Sequence, residues 1–285
     1  MDGGALWTTD LIVDSVLGSR VTGSFSAAVV AAVIGRLRAA GCVFAEDEAA
    51  VLCSAAADQA ALDELVARRS TGEPLEQVVG FADFCGLRVR LRPGVFVPRV
   101  RSELLVRRGA AAARAKSRSL VVDLCCGSGA LGLAVRAQVP GVDLYAADLD
   151  AAAVACARDN FGAQPGRVFA GDLFAALPAQ LKGQIDVLLA NVPYVATRHL
   201  ALLPAEAREH EPATALDGGG DGLDVFRAVV RAAPEWLAPS ATTVSEITEA
   251  QIGAASAALR AVGLRPDIRE DDDLQATVIE GHALR

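Results

Sequence analysis

Two short segments of this chain carry side chains that suit the binding of small planar groups. The first, residues 123–129, reads Asp-Leu-Cys-Cys-Gly-Ser-Gly and follows an apolar run; we call it the glycine turn. The second, residues 191–194, reads Asn-Val-Pro-Tyr and also follows an apolar run; we call it the acceptor loop. Glycines let the backbone approach a ligand closely, and an asparagine carbonyl accepts hydrogen bonds from N–H groups. The pair predicts a site that holds a ligand beside a nitrogen-bearing group.

The acceptor loop has the chemistry needed to activate an amide nitrogen by position. The lone pair of such a nitrogen is delocalised into its carbonyl, so the nitrogen is a poor nucleophile. The Asn191 side-chain carbonyl and the Val192 backbone carbonyl can hold its two N–H bonds and aim the lone pair at a methyl donor. Pro193 stiffens the loop, and Tyr194 offers an aromatic face to the amide. We predict that these four residues are catalytic; the alternative is a polar turn at a strand end.

Three acids follow three successive predicted strands, which places them at one edge of a parallel sheet. Asp123 suits the amino group of a methionine moiety, Asp148 suits two ribose hydroxyls, and Asp172 suits an adenine amino group. Dinucleotide dehydrogenases use similar glycine spacing, but an acid at Asp123 would repel a pyrophosphate. The pattern favours S-adenosylmethionine over NAD. The predicted cofactor-binding residues are Asp123, Cys125, Gly127, Gly129, Asp148, Leu149, Asp172, Leu173 and Asn191.

The elements that must position these residues alternate between strand and helix patterns. Strands are predicted over 120–123, 143–147, 168–170, 185–190 and 242–247, and helices over 130–137, 151–160 and 225–236. A terminal hairpin is predicted over 266–270 and 276–280. Such alternation indicates an α/β fold with a mostly parallel sheet flanked by helices.

The N-terminal part of the chain has a different texture. Residues 24–70 are alanine-rich with a helical apolar period, which predicts three helices. Around Gly86, the runs 78–81 and 87–91 alternate as strands do, and Pro93-Gly94 marks a turn. We therefore predict a helical domain over residues 1–75, a β-hairpin linker over 76–97 and a catalytic domain over 98–285.

Composition narrows the classes of function. The chain has 285 residues, a net charge of −8 and 22% charged residues, and its pI is near 5.0. That balance argues against a dedicated nucleic-acid-binding protein, which needs clustered basic residues. Six cysteines without a Cys-x-x-Cys pair and three histidines argue against a zinc site, so no metal is expected.

The sequence also bears on location and assembly. Residues 1–20 lack a basic segment followed by an apolar core, so no signal peptide is expected. The longest apolar helical stretch, residues 27–34, is far shorter than the ~20 residues that a membrane span needs. We expect a cytoplasmic monomer that does not bind membranes.

With these motifs, the chain resembles the HemK/PrmC-type protein-(glutamine-N5) methyltransferases over nearly its whole length. The resemblance lies in the glycine turn, the acceptor loop and several further motifs. These are Gly72-Glu73-Pro74-Leu75, Phe96-Val97-Pro98-Arg99 with Ser102-Glu103, Gly171-Asp172-Leu173-Phe174, His210-Glu211-Pro212 and the segments 215–219 and 221–223.

The resemblance implies a fold, a reaction and a partner. The implied fold is a class I, Rossmann-like methyltransferase domain with a seven-stranded sheet, preceded by a helical domain that docks the substrate. The implied reaction moves a methyl group from S-adenosyl-L-methionine to a glutamine side chain and leaves S-adenosyl-L-homocysteine. The implied partner is a peptide-chain release factor, at its Gly-Gly-Gln loop, or a ribosome-associated protein. Pro98, Arg99 and Glu103 are implied to form a lid-like segment near the cofactor.

Two departures from the family pattern bear on the substrate. The usual Asn-Pro-Pro-Tyr has Val192 at its second position, which keeps the backbone carbonyl but frees the loop at a cost of roughly 1 kcal/mol. The usual Pro-Arg-Pro-Glu-Thr-Glu reads Pro-Arg-Val-Arg-Ser-Glu over 98–103, so Arg101 stands where an acid is usual. These departures retain the reaction and leave open whether a release factor or another protein is the target.

Three alternatives remain open from the sequence. One is nitrogen methylation of a small molecule or a nucleic acid. Another is a catalytically silent protein that binds S-adenosylmethionine, suggested by the change at Val192. The last is an NAD-linked dehydrogenase, against which the motifs near Asp123 and Asn191 argue.

Overall fold

A computed structural model of the protein describes residues 25–283. These residues fall into two compact units, the first ending at Gly72 and the second beginning at Glu73. Residues 1–20, where the sequence indicates no signal peptide, lie outside the described residues. No helix within 25–283 is both long and apolar enough to span a bilayer.

The first unit contains three helices: α1 (Ala27–Ala39), α2 (Ala45–Ala55) and α3 (Gln59–Ser70). Polar caps begin two of them, because Ser26 accepts a hydrogen bond from the Val29 N–H and Asp58 accepts one from the Ala61 N–H. An ion pair between Arg69 and Glu48, 2.6 Å apart and only 11% and 12% exposed, links α3 to α2. The helices predicted over 24–70 are therefore present.

The second unit contains the sheet and its flanking helices. Its strands are β1 (Phe81–Phe84), β2 (Leu87–Arg90), β3 (Leu120–Leu124), β4 (Asp143–Asp148), β5 (Val168–Ala170), β6 (Ile185–Ala190), β7 (Leu237–Ile247), β8 (Leu264–Asp271) and β9 (Ala276–Ala283). Its helices are α4 (Leu75–Val79), α5 (Glu103–Arg114), α6 (Ala130–Gln138), α7 (Ala151–Phe161), α8 (Ala205–His210), α9 (Ala213–Leu216), α10 (Asp224–Trp236) and α11 (Ile252–Ala261).

Seven of these strands form one sheet in the order β5-β4-β3-β6-β7-β9-β8. The strands from β5 to β7 run parallel, and β9 runs antiparallel to both β7 and β8. The strand order reverses between β3 and β6, so the carboxyl ends of β3 and β6 lie side by side at the point where α/β folds bind ligands. The predicted α/β fold class is confirmed.

Two apolar cores cover the two faces of the sheet. Alternate residues of β3 enter different cores: Val121 belongs to one, and Val122 and Leu124 belong to the other. The first core also contains residues of α5, α6 and α7, and the second contains residues of α10 and α11. Because both faces are covered, the central strands read as continuous apolar runs.

The structure corrects one predicted strand and adds helices that the sequence reading did not include. Residues 75–79, of which Val78 and Val79 were assigned to a strand, form α4, which ends where Gly80 takes a left-handed φ of 81°. Helix α5 was not predicted, although it packs on the sheet. A Cβ at Gly109 in α5 would lie 2.6 Å from the Leu189 side chain, so this glycine permits close packing of helix and sheet.

Candidate active site

The glycine turn leads from β3 into α6 with a strained backbone. Cys125 and Gly127 have positive φ values of 54° and 55°. A Cβ added at Gly127 would meet no atom within 4 Å, so the backbone there borders open space. At Gly129, by contrast, a Cβ would lie 3.0 Å from the Phe161 ring. Gly127 therefore allows a ligand to approach, whereas Gly129 allows α7 to pack against the turn.

Asp123 lies beneath the turn and is completely buried. Its Oδ2 accepts a hydrogen bond from the Gly132 N–H at 2.9 Å, and its Oδ1 is buried without a partner among the described residues. Burial raises the pKa of this carboxyl to about 7, which the Gly132 hydrogen bond opposes and the Asp148 charge reinforces. A buried oxygen without a donor fits the cationic amino group predicted from the sequence.

Asp148 ends β4 and binds the glycine turn directly. Its Oδ2 accepts from the Gly127 N–H at 2.8 Å, and its Oδ1 accepts from the Asp150 N–H at 2.9 Å. Burial raises its pKa, although both backbone donors oppose the shift. Leu149, the next residue, is 66% exposed. This acid therefore shapes the turn, and the apolar side chain beside it offers a surface for a flat ring.

Asp172 and Leu173 follow β5 at the same edge of the sheet. Asp172 is exposed, and Leu173 has a positive φ of 46°. Asp150 caps α7 by accepting from the Ala152 and Ala153 N–H groups at 2.7 and 3.0 Å. Three successive strands thus deliver acids to one edge.

A cavity of about 790 Å³ brings most of the predicted residues together. Its wall contains Pro98, Arg99, Cys125, Gly127, Asp148, Leu149, Asp172, Leu173, Asn191, Val192, Pro193 and Tyr194. Three predicted site residues, Asp123, Gly129 and Glu103, are outside the wall formed by the described residues. The glycine turn and the acceptor loop therefore border one space.

The acceptor loop follows β6 and is braced from behind. The Val195 N–H donates to the Leu216 carbonyl at 3.1 Å, and the Gly218 N–H donates to the Val195 carbonyl at 2.8 Å. A Cβ at Gly218 would lie 2.6 Å from the Pro193 carbonyl oxygen, and one at Gly222 would lie 2.3 Å from the Tyr194 carbonyl oxygen. The glycines of 218–222 therefore permit a close fit that holds the loop in place.

Within the loop, the side chains of the two predicted acceptor residues make different contacts. The Asn191 Oδ1 atom is buried and has no hydrogen-bond partner among the described residues, whereas its Nδ2 donates to the Ser102 hydroxyl at 3.3 Å. Val192 is 2% exposed and packs in the core below the loop. An unpaired carbonyl oxygen at a cavity wall is suited to receive an N–H from a ligand.

The segment around Arg99 is anchored by the His-Glu-Pro motif. Arg99 Nη2 lies 2.6 Å from each carboxylate oxygen of Glu211, and the Val97 N–H donates to the same side chain at 3.2 Å. Burial raises the pKa of Glu211, and the Arg99 charge opposes that shift. The Arg99 guanidinium also lies 4.9 Å from the Phe96 ring centre. The His210-Glu211-Pro212 motif therefore holds the segment that the resemblance implies to be lid-like.

The paired cysteines of the glycine turn are not nucleophiles. Burial, followed by the charges of Asp148 and Asp123, raises the pKa of Cys125 to about 12. The same causes raise the pKa of Cys126 well above its usual value. Both side chains remain neutral thiols near neutral pH.

Sequence reasoning missed two residues of this region. Ser102 is 1% exposed and Glu246 is 2% exposed, and the Ser102 hydroxyl donates to Glu246 Oε2 at 2.7 Å. Glu246 lies in β7, inside a run of Thr, Val and Ser that reads as an ordinary strand. The signal in the sequence was the acid within this run. An acid that is buried in a strand rarely lacks a partner, so Glu246 indicates a polar contact.

Comparisons with known proteins agree with this site. Residues 86–263 match the model of the methyltransferase small domain. The chain belongs to that family. A solved methyltransferase from Pyrococcus furiosus superposes with a TM-score of 0.51 at 13% identity, covering 70% of this chain and 90% of that one, which supports the fold.

Three relatives show how the chain is placed within the family. It is 39% identical to a release factor glutamine methyltransferase of Geobacter sulfurreducens, over 66% of this chain and 65% of that protein. It is 38% identical to the enzyme of that name from Streptomyces coelicolor, over 67% and 68%. It is also 37% identical to a 4-amino-L-phenylalanine/4-methylamino-L-phenylalanine methyltransferase of Streptomyces pristinaespiralis, over 70% and 69%. The predicted membership of the glutamine methyltransferase family is confirmed, with matches that span about two thirds of the relatives' lengths.

Proposed function

We propose that the protein uses S-adenosylmethionine to methylate the N5 atom of a glutamine side chain in a protein substrate. The proposed substrate is a peptide-chain release factor, at its Gly-Gly-Gln loop, or another protein of translation. The observation that carries the proposal is that Asn191, whose buried Oδ1 has no partner among the described residues, lines the same cavity as Asp148 and Asp172. One cavity thus offers acceptors for an amide beside acids for a cofactor.

The residues present fit the cofactor. Asp123 would hold its amino group through the unpaired Oδ1, Asp148 would hold the ribose, and Leu149, Asp172 and Leu173 would border the adenine. When bound, S-adenosylmethionine supplies an electrophilic methyl group on its sulfonium. The chain's task is then to exclude water and to present the acceptor nitrogen in line with that methyl group.

The charges around the acceptor loop favour a neutral acceptor. Two buried acids, Glu211 and Glu246, are paired with the cavity-wall residues Arg99 and Arg101 at 2.6 and 2.7 Å. Neither acid therefore presents an uncompensated charge to the cavity. A neutral carboxamide fits such a wall, and the Asn191 side chain and the Val192 carbonyl can hold its N–H bonds without a general base.

We assign the first unit and its flanking linker to substrate docking. In this proposal the helical docking domain covers residues 1–75, the hairpin linker 76–97 and the catalytic domain 98–285. The turn between α1 and α2 presents Val43 and Phe44, which are 84% and 69% exposed. Exposed apolar side chains of this size are suited to contact a partner protein.

A second candidate acceptor is the amino group on the ring of a free aromatic amino acid. The relative from Streptomyces pristinaespiralis, whose name specifies such a substrate, matches this chain nearly as well as the release-factor enzymes do. Its acceptor is an arylamine, whose lone pair is also partly delocalised. The face of Tyr194 in the cavity wall suits an aromatic ring as well as an amide.

Transfer of radiolabelled methyl groups separates these candidates. The acceptors are purified release factor, total lysate protein and 4-amino-L-phenylalanine, each tested with wild type and with Asn191→Ala. Label on the release-factor glutamine supports the main proposal, and label on another lysate protein replaces its substrate. Label on the amino acid alone favours the second candidate. Cofactor binding without any transfer contradicts both and indicates a silent protein.

A further inference from the structure

A polar network centred on the buried carboxylate of Glu246 includes Tyr194 of the acceptor loop, and it joins four residues from three parts of the chain. We call Arg101, Ser102, Tyr194 and Glu246 the Glu246 network. Glu246 Oε1 accepts from Arg101 Nε at 2.7 Å and from the Tyr194 hydroxyl at 2.6 Å, and its Oε2 accepts from the Ser102 hydroxyl at 2.7 Å. Arg101 Nη2 also donates to the Tyr194 oxygen at 2.5 Å. All four polar groups are therefore satisfied.

The chemistry of each member sets the direction of every hydrogen bond. A guanidinium only donates and a carboxylate only accepts. With Arg101 as its counter-ion, Glu246 stays an acceptor, so the Ser102 hydroxyl must give its single hydrogen to Glu246. The Ser102 oxygen can then only accept, and the group facing it at 3.3 Å must be the NH2 of Asn191.

The direction of this last bond decides the orientation of the Asn191 carboxamide. If the carboxamide were reversed, its carbonyl oxygen would face the lone pairs of the Ser102 oxygen with no hydrogen between them. In the observed orientation, Oδ1 is the atom left without a partner among the described residues. The network thus selects which end of the carboxamide is available to a ligand.

We propose that Ser102 is a positioning residue of the methyl-transfer site, and that Arg101 and Glu246 orient it so that Asn191 presents its carbonyl oxygen to the acceptor nitrogen. This inference rests on the proposed function for the identity of the acceptor, but the orientation itself can be measured without one. It also gives Arg101 a role: the arginine, itself 44% exposed, compensates the charge of Glu246, whose side chain is only 3% exposed.

The orientation can be read by NMR, because the chain contains only two asparagines, Asn160 and Asn191. Selective 15N-asparagine labelling therefore resolves each side-chain NH2 group. Asn160, whose Nδ2 donates to the Arg90 and Ser128 carbonyls at 2.9 Å, serves as the internal reference. In Ser102→Ala the Asn191 NH2 signals should shift and exchange faster with solvent, while those of Asn160 stay in place. Ser102→Thr, which keeps the hydroxyl, should restore the Asn191 signals.

Kinetics on purified release factor provide the second readout. We expect Ser102→Ala to lower kcat about tenfold with the KM for S-adenosylmethionine unchanged, and Ser102→Thr to recover most of the loss. Ser256→Ala, at a buried serine of α11, is the matched control and should change neither readout. Unchanged Asn191 signals and unchanged kcat in Ser102→Ala would overturn the inference. If wild type labels no release factor, the proposed substrate fails, and the NMR comparison still decides the orientation.

Discussion

The two halves of the cavity treat buried acids in opposite ways. On the cofactor side, the charged neighbours that shift the pKa values of Asp123 and Asp148 are other acids, and only backbone N–H groups oppose their burial. On the acceptor side, Glu211 and Glu246 each pair with an arginine, Arg99 or Arg101. The cofactor side therefore keeps negative charge for a cationic or hydroxyl-rich ligand, whereas the acceptor side has compensated its charge internally.

This difference indicates how the proposed site separates cofactor binding from acceptor binding. Acids without counter-ions attract a sulfonium compound with an amino group. Binding of that ligand offsets the stability that is lost by burying the acids. Compensated acids hold neighbouring groups in one orientation without attracting ions. The acceptor side can then bind a neutral amide through geometry alone, as the unpaired Asn191 oxygen suggests.

The largest expected effect is a loss of turnover that leaves the affinity for the cofactor unchanged. Asn191→Ala removes the side-chain carbonyl and should lower kcat by about 10²–10³-fold, because a positioned acceptor is lost in the transition state. The affinity for S-adenosylmethionine, measured by calorimetry, should remain close to that of wild type. An equal loss of affinity and turnover would show that the halves are not separate.

Asp123, on the cofactor side, should make the stability of the protein depend on pH. Burial raises the pKa of Asp123 from 3.8 to about 7. The folded chain thus keeps a proton that the unfolded chain releases, so this carboxyl lowers the free energy of unfolding progressively between pH 3.8 and about 7. Above about pH 7 the buried charge of Asp123 destabilises the folded state in full, and below pH 3.8 this destabilisation is absent.

The isosteric variant Asp123→Asn tests this effect. Between pH 5 and pH 8, its free energy of unfolding should rise by about 3 kcal/mol relative to that of wild type. Urea denaturation at both pH values measures the difference, with Asp159→Asn, at an exposed ion pair with Arg92, as control. Parallel pH profiles for Asp123→Asn and wild type would contradict a raised pKa.

Loss of the second cofactor acid should weaken binding more than turnover. Asp148→Ala removes the carboxylate that accepts from the Gly127 and Asp150 N–H groups. We expect the Kd for S-adenosylmethionine to rise about 10–100-fold, the range for lost hydrogen bonds to a charged group. Saturating cofactor should restore most of kcat. If kcat stays low at saturation, Asp148 also positions the reacting groups, and the two sides of the site do not act separately.

The smallest effect is expected at the residue that departs from the family pattern. Val192→Pro keeps the backbone carbonyl and stiffens a loop that segment 218–222 already braces, so activity should change by less than about fivefold. Methyl transfer to the best acceptor measures this directly. Appearance of activity in a wild type that shows none would mean that Val192 silences the acceptor side.

Much of the cofactor side was predictable because its information is local. Asp123, Asp148 and Asp172 each follow a recognisable strand, and parallel strands bring their carboxyl ends to one edge. The fold class and the terminal hairpin were predictable for the same reason. The short helix α4 was read as a strand because two valines outweighed the capping role of Gly80.

The acceptor side was only half predictable. The acceptor loop could be predicted from the sequence, and Arg101 was recognised as an arginine at a position where an acid is usual. Nothing in the sequence indicated the ion-pair partner of Arg101. That partner, Glu246, lies 145 residues further along the chain. It meets Arg101 because Arg101 lies just before α5, and α5 packs against the sheet at β7. No local pattern records such a neighbour.

The fold class, the acids proposed to bind a cofactor and the loop proposed to hold an acceptor could all be predicted from the sequence alone, since each depends on residues close together in the chain. Only the tertiary structure decided how the acids are compensated, which glycines brace the acceptor loop and which atom of Asn191 is left unpaired. The physical reason is that charge pairing and hydrogen-bond direction depend on groups that folding brings together from distant segments, and sheet order rather than periodicity sets those encounters.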